Sequence, residues 1–391
     1  MKQRLLIILL TLLTTTTAGA QNSSGTFSSG VTWNLDTGTK TLTFTGSGVI
    51  PDKPNSGSVP WEKTNVEHLV FGSGITRIGN QVFYDHVNLK DVVFQTGSQL
   101  TEIGSKAFNS CTSLSAITLP EHLTSIGNYA FEYCRSLASV SIPASVTTIG
   151  ERAFRGCSVL KSVNISVSVT SIGREAFWEC TGLEACTILS TKLTSISGGC
   201  FNSCSSLTAI EIPEGVTSIG ISAFLGCTSL KCVTLPESLQ SIDLSAFKKC
   251  SNLEAVYCKV VDPTNLTINN EAFNNNTAFY LSPDADIEAW TSAQFTNITY
   301  NTFSPITVES GETNVTLDFS GTLTVTKRTG NGVMGDGFPS TFKEYLIIKV
   351  VIEPGVTTIG NFAFNGCTGL TSVTIPEGVT TIRNSAFYGC I

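Results

Sequence analysis

The stretch Ile126-Gly127-Asn128-Tyr129-Ala130-Phe131-Glu132-Tyr133-Cys134-Arg135-Ser136-Leu137-Ala138-Ser139-Val140-Ser141-Ile142-Pro143, closed by Val146-Thr147-Thr148-Ile149-Gly150, returns throughout the 391-residue chain. Its phenylalanine recurs at Phe83, Phe108, Phe131, Phe154, Phe177, Phe201, Phe224 and Phe247, in steps of 25, 23, 23, 23, 24, 23 and 23 residues. A degenerate copy follows at Phe273, and after an interruption Phe364 and Phe387 resume the 23-residue step. The extra residue before Phe201 reads as a loop insertion, because the apolar pattern on either side is intact.

One unit cannot fold alone. Ala130-Phe131 sets a small residue beside a large one, and Leu137, Val140 and Ile142 have the spacing of a strand entered from a turn. Pro143 ends that strand, since it donates nothing to a continuing ladder. Val146 and Ile149 add a second short apolar pair. Stacked on its neighbours, the unit buries these side chains in one continuous core, with parallel strands about 4.8 Å apart. The architecture is therefore a repeat solenoid, and the period lies in the leucine-rich-repeat range.

The motif I-G-x-x-A-F-x-x-C-x-x-L-x-x-V-x-I-P resembles the BspA-like leucine-rich repeats, a family common on bacterial cell surfaces and found in some protists. The resemblance covers roughly residues 70–280 and 350–391. His86 and Asn276 depart from it in the cysteine column, and Ser166 stands where proline is expected. It implies a right-handed β/α solenoid of short parallel strands in 23-residue units with β-rich caps. It also implies a surface or secreted adhesin-type module that contacts host matrix proteins, cell-surface proteins or other microbes.

Working outward from the array, Lys2 and Arg4 precede an apolar run from Leu5 to Leu13, and Ala18-Gly19-Ala20 supplies a cleavage site. This is the pattern of a signal peptide over 1–20, and its apolar run is far short of the ~20 residues of a membrane span. Residues 21–65 read as a β-rich cap, with strands at Val31–Leu35 and Leu42–Phe44 around the Asp36-Thr37-Gly38 turn. The array proper spans 66–255, and 256–302 reads as its C-terminal cap. That cap is expected to hold a short helix over Asp284–Ser292, with Ser282 at the N-cap and Pro283 at the first helical position. Residues 303–350 repeat the first cap: Leu323-Thr324-Val325 answers Leu42-Thr43-Phe44, and Gly332–Asp336 answers Gly48–Asp52. A second array occupies 351–391 and stops in mid-unit at Cys390-Ile391, so the sequence is expected to be a fragment or a prematurely ended copy.

Charged residues make up only 14% of the chain and the net charge is −7, so a basic footprint for nucleic acid is missing and anionic membranes are poor partners. Thirteen cysteines in an exported chain raise a disulfide framework. Nine of them, however, stand three residues after the repeat phenylalanine, from Cys111 to Cys390. That places one thiol per rung in an inward column, and rungs ~4.8 Å apart exceed the ~3.8 Å between Cβ atoms that a disulfide favours. Buried free thiols are the favoured reading over one or two bridges or a metal ladder. Cys186, Cys200, Cys232 and Cys258 replace small or apolar residues elsewhere in the unit.

The only histidines are His68, His86 and His122, and none belongs to a zinc or hydrolase motif. Asp284, Asp286 and Glu288 alternate as in a calcium loop, yet fit a helix N-terminus equally well, which is the plainer reading. No nucleophile, base and oxyanion hole assemble, and no cofactor is called for, so the chain reads as non-enzymatic. Asn22, Asn164, Asn265, Asn275, Asn297 and Asn314 begin N-x-S/T sequons, which matter only in a glycosylating host.

What remains is the strand face. The residue between the inward Val and Ile points outward, giving the row Thr118, Ser141, Asn164, Thr187, Glu211, Thr234, Tyr257 and, in the second array, Thr374. Its hydroxyls suit strand propensity alone. They also suit a recognition face, since solenoid curvature creates extended binding surfaces. Recognition of protein ligands is expected there. Carbohydrate capture is the alternative, and it requires an exposed aromatic platform that only Tyr257 supplies on this row. A third reading makes the repeats a scaffold for a domain beyond residue 391.

Overall fold

The structure is a computed structural model that describes residues 23–390, apart from 54–58, 275–276, 294, 296–297, 303–305, 319–321, 338–346, 348, 368–369 and 371. Residues 1–20, read from the sequence as a signal peptide, lie outside the described residues, as do Asn22, Asn275, Asn276, Asn297 and Ile391.

Each 23-residue unit forms one turn of a solenoid. In the unit quoted above, Ser139–Ser141 is a strand, and Thr148–Ile149 is a second, shorter one. Both pair in parallel with the same positions of the preceding rung: Val140 lies beside Ile117, Ser141 beside Thr118, and Ile126 beside both Ile103 and Ile149. Repeated sequence thus becomes repeated columns of identical side chains. The phenylalanine column is the clearest, with Phe83, Phe108, Phe131, Phe154, Phe177, Phe201, Phe224, Phe247 and Phe273 stacked at centroid distances of 4.9–5.4 Å. The rings are nearly parallel at that spacing, which is the offset stacking that aromatic quadrupoles favour.

The third side of each rung is made of turns, not of the helix that a β/α reading anticipates. Two residues four apart take left-handed backbone in the units from Phe83 to Phe247 and in those of Phe364 and Phe387, for example Tyr129 and Tyr133, both at φ 59°. A left-handed residue interrupts an α-helix after one turn. Alternate amides on this side are satisfied across rungs instead: Tyr129 N, Phe131 N and Tyr133 N donate to the carbonyls of Glu151, Ala153 and Arg155, each at 2.7 Å.

The cysteine column follows from the same ladder. The Phe131 carbonyl accepts from Cys134 N in its own rung, and the Cys157 thiol of the next rung donates to it at 3.3 Å. Seven further thiols make the same contact at 3.1–3.2 Å, from Cys111 to Phe83 through Cys390 to Phe364. A small apolar side chain carrying one weak donor is what this position requires. All thirteen cysteines are free thiols, twelve of them buried and Cys390 half-buried. Ser166, at the proline position, is also accounted for: its buried hydroxyl donates to the Pro143 carbonyl one rung back.

The glycine after each short strand is needed for close approach. A Cβ on Gly150 would lie 2.5 Å from the Asn128 nitrogen, inside any tolerable contact.

At the N-terminal end, β1 (Ser23–Thr26), β2 (Thr32–Asp36) and β3 (Thr41–Thr45) form an antiparallel meander, and β3 then pairs in parallel with His68–Phe71. The same arrangement occurs again: Ile306–Ser310, Thr313–Leu317 and Thr322–Lys327 are antiparallel, and the last pairs in parallel with Lys349–Ile352. Asp52 accepts from the backbone and side-chain nitrogens of Asn80, both at 2.8 Å, and Asp336 does the same from Asn361 at 2.8 and 3.0 Å. Both units therefore open on one hydrogen-bonding device.

The region after the first array continues its sheet with parallel strands Thr277–Leu281 and Ile298–Thr302. The helix there, α1 (Ile287–Ser292), is shorter than the sequence suggests. Its N-cap is Asp286, which accepts from Ala289 N at 2.9 Å, whereas Ser282 caps a preceding turn by accepting from Asp284 N. The aspartate is the stronger charge-assisted acceptor and displaces serine from the role.

Candidate functional site

The outward row runs along neighbouring strands that belong to three hydrogen-bonded sheets, and it is open over only part of its length. Thr118, Ser141, Asn164, Thr187 and Glu211 are exposed. Thr234 and Tyr257 are buried, at 1% and 2% exposure, and this corrects the expectation that they face solvent. The cause is readable in the neighbouring outward positions, where Ala209, Cys232 and Ala255 join Tyr257 in a small apolar cluster outside the main core. Tyr280 packs on this cluster, stacks on Tyr257 at 5.5 Å, and also touches the core of the following unit. The open face thus ends near Glu211, whose carboxylate meets Lys259 at 3.4 Å.

At its other end the row runs into a cavity of about 520 Å³. The longer step between Phe83 and Phe108 places a loop at Gln95–Ser98, which walls this cavity together with Pro120 and His122. Val93, half exposed, and Thr118 form the part continuous with the strand face. His122 Nδ1 lies 3.1 Å from the Ser98 carbonyl, tying the two walls together.

The other histidines are engaged structurally. His68 Nδ1 is 2.7 Å from Asp91. His86, in the cysteine column, is fully buried and accepts at Nε2 from the Trp61 indole at 3.0 Å. Burial pushes its pKa down to about 4, so the ring is neutral and can accept. Desolvation also raises the column thiols, Cys134 and Cys180 to about 12, which removes them as nucleophiles or metal ligands. Among the described residues, no group of His, Cys, Asp and Glu could hold a metal ion, and no helix is long and apolar enough to cross a membrane.

The sequence reading missed the turn side, where the variable positions of the repeat gather aromatic and cationic groups. The Arg155 guanidinium lies 4.2 Å from the Trp178 ring centre and 5.5 Å from that of Tyr133. Tyr129 stands between Lys106 and Arg152, at 5.2 and 5.6 Å. Buried Glu132 accepts a hydrogen bond from Asn109 and pairs with Arg155, and buried Glu175 pairs with Arg152 and Arg174. The signal was present: three of the variable residues flanking Phe83 and Phe131 are tyrosines.

A family model agrees with this architecture. The family model described as BspA type leucine rich repeat region matches residues 57–184, 182–305 and 339–391 in six copies, more than half of the chain. No curated protein matches significantly. Among solved structures, a leucine-rich repeat protein from Bacteroides ovatus is similar at 22% identity, covering 92% of this chain and 79% of that one with a TM-score of 0.45. A leucine rich cell surface protein from Faecalibacterium prausnitzii is 23% identical over 72% of this chain and 95% of its own, at 0.34. The pneumococcal vaccine antigen PcpA is 18% identical over 72% of this chain and 99% of its own, at 0.38.

Proposed function

The chain belongs to the BspA-type leucine-rich-repeat family, and from that premise we propose that it is an exported, non-enzymatic binding protein of adhesin type. Its ligands would be host matrix or cell-surface proteins, or proteins of other cells, met outside the cell. The observation that carries this reading is the open run Thr118, Ser141, Asn164, Thr187 and Glu211, neutral and hydroxyl-rich except at its last member, on the strand side of successive rungs. Short polar side chains at a rung spacing of ~4.8 Å let a partner's surface approach closely and find a donor or acceptor at each step. The cavity at Val93 and Thr118 gives that row an apolar end, where a protein partner could anchor a side chain.

The test is a binding screen of the full chain against extracellular-matrix proteins. Saturable binding is expected, weakened on the order of tenfold by Thr118→Arg or Thr187→Arg, which fill the face without entering the core. Binding unaffected by either substitution would remove the strand face as the site.

A further inference from the structure

The turn side is interrupted at one rung, where the repeat loses two side chains. The two positions before the small residue and its phenylalanine are Arg174-Glu175 in the rung of Phe177 and Ile221-Ser222 in that of Phe224. In the rung between them they are Gly198-Gly199. The missing side chains leave a cleft of about 440 Å³, within the ~300–1,000 Å³ usual for small-ligand sites. The glycine rung lies at its middle, between Trp178 of the rung before and Ile221 of the rung after, the latter 57% exposed. Arg155, one rung further back, covers one face of the Trp178 ring at 4.2 Å and does not line the cleft, so the ring turns its other face toward the glycines. Trp33, Trp61 and Trp290 are buried, which leaves Trp178 as the one tryptophan in reach of solvent.

The polar groups lining the cleft are in large part unspent. Asn202 accepts at Oδ1 from the Ser203 hydroxyl at 2.8 Å, while its Nδ2 has no partner among the described residues. The same is true of the Ser222 hydroxyl and of the exposed Asp243 carboxylate. The charges lining the cleft are Arg174, Glu175 and Asp243, one positive and two negative, so nothing there favours an acidic ligand. An apolar side chain of a partner would strip water from two donors and an acceptor and replace none of their hydrogen bonds. A sugar ring meets both halves of the site: its C–H face rests on the negative face of the indole, and its hydroxyls accept from Asn202 and Ser222 and donate to Asp243. We infer that this cleft binds a neutral pyranose unit of a glycan. The aromatic surface that carbohydrate capture requires is Trp178, on the turn side, and buried Tyr257 has no part in it. The site is separate from the strand face and does not rest on the reading of that face.

The experiment titrates the full chain with laminarin, mannan, a neutral galactan and chitohexaose, following tryptophan fluorescence, with polygalacturonate as the acidic comparison. Saturable binding of at least one neutral glycan is expected, tighter than that of polygalacturonate and with Trp178 protected from acrylamide quenching. Gly198→Ile refills the gap with the residue that the next rung carries, where an added Cβ lies 3.3 Å from the Ile221 carbonyl oxygen. Asp243→Ala removes the acceptor. Each should weaken binding on the order of tenfold, with unfolding midpoints confirming that both variants fold. Thr187→Arg, on the strand face, should leave glycan binding unchanged, so failure of the strand-face reading and failure of this one are distinguishable. Binding of none of the neutral glycans, equal binding of polygalacturonate, or wild-type binding by both cleft variants would overturn the inference. Loss of matrix-protein binding in Gly198→Ile, with no glycan bound by the wild type, would overturn it in favour of a protein side chain in the cleft.

Discussion

At the scale of single residues, His86 shows how an exception to the repeat is accommodated. Replacing the column cysteine by histidine puts a titratable ring where nine rungs have a thiol, and burial makes the neutral form the stable one, whose Nε2 accepts from the Trp61 indole. In the unfolded chain the ring takes a proton near its ordinary pKa of 6.5, whereas the buried ring takes one only near 4. The unfolded state therefore binds more protons between these values. Its contribution is complete above about pH 6.5 and is lost as pH falls toward 4, on the order of 3 kcal/mol in all. Urea unfolding followed across that window should show the loss. His86→Gln keeps an acceptor for Trp61 but has no titration, and should flatten the slope. If the variant keeps the wild-type slope, the acid sensitivity belongs elsewhere. The place of His86 in the column was legible from spacing alone. Its partner was not, because Trp61 lies before the repeat and nothing periodic points to it.

At the scale of the rung, the period and apolar columns were legible because stacking turns sequence repetition directly into contact. What the period does not encode is backbone hand: Lys106, Tyr129 and Arg152 adopt positive φ with no glycine to announce it. Inside and outside on the strands were likewise readable from alternation. The covering of Thr234 and Tyr257 was not, since it depends on small apolar residues at outward positions of three neighbouring strands. The column chemistry makes a graded prediction. Phe154→Ala deletes a ring stacked on both sides and should cost about 3–5 kcal/mol. Cys157→Ala loses one methyl-sized thiol and its bond to the Phe131 carbonyl, and should cost about 1–2 kcal/mol. Chemical denaturation of both variants under reducing and non-reducing conditions checks the order. A severe loss for Cys157→Ala confined to non-reducing conditions would show that the thiol is bridged.

At the scale of the molecule, the antiparallel meander and its aspartate appear twice, and so does the core they begin. One apolar cluster runs from Val31 to Trp290, and a separate one from Val315 to Ala386. Ile298–Thr302 closes the first sheet, while Ile306–Ser310 pairs only forward, with Thr313–Leu317, so no strand pair joins the two among the described residues. Tyr280 packs against the second core while its ring rests on Tyr257 of the first array. In a stacked protein cooperativity passes through interfaces between neighbours, and no strand pair carries it between these two cores among the described residues. Heating the full chain in a calorimeter should therefore give two transitions. Phe154→Ala should lower only the transition of the first unit, and Phe364→Ala, which removes the ring stacked on Phe387, only that of the second. A single transition lowered by either substitution would mean that the Tyr280 contact couples the two cores as strongly as adjacent rungs are coupled within one.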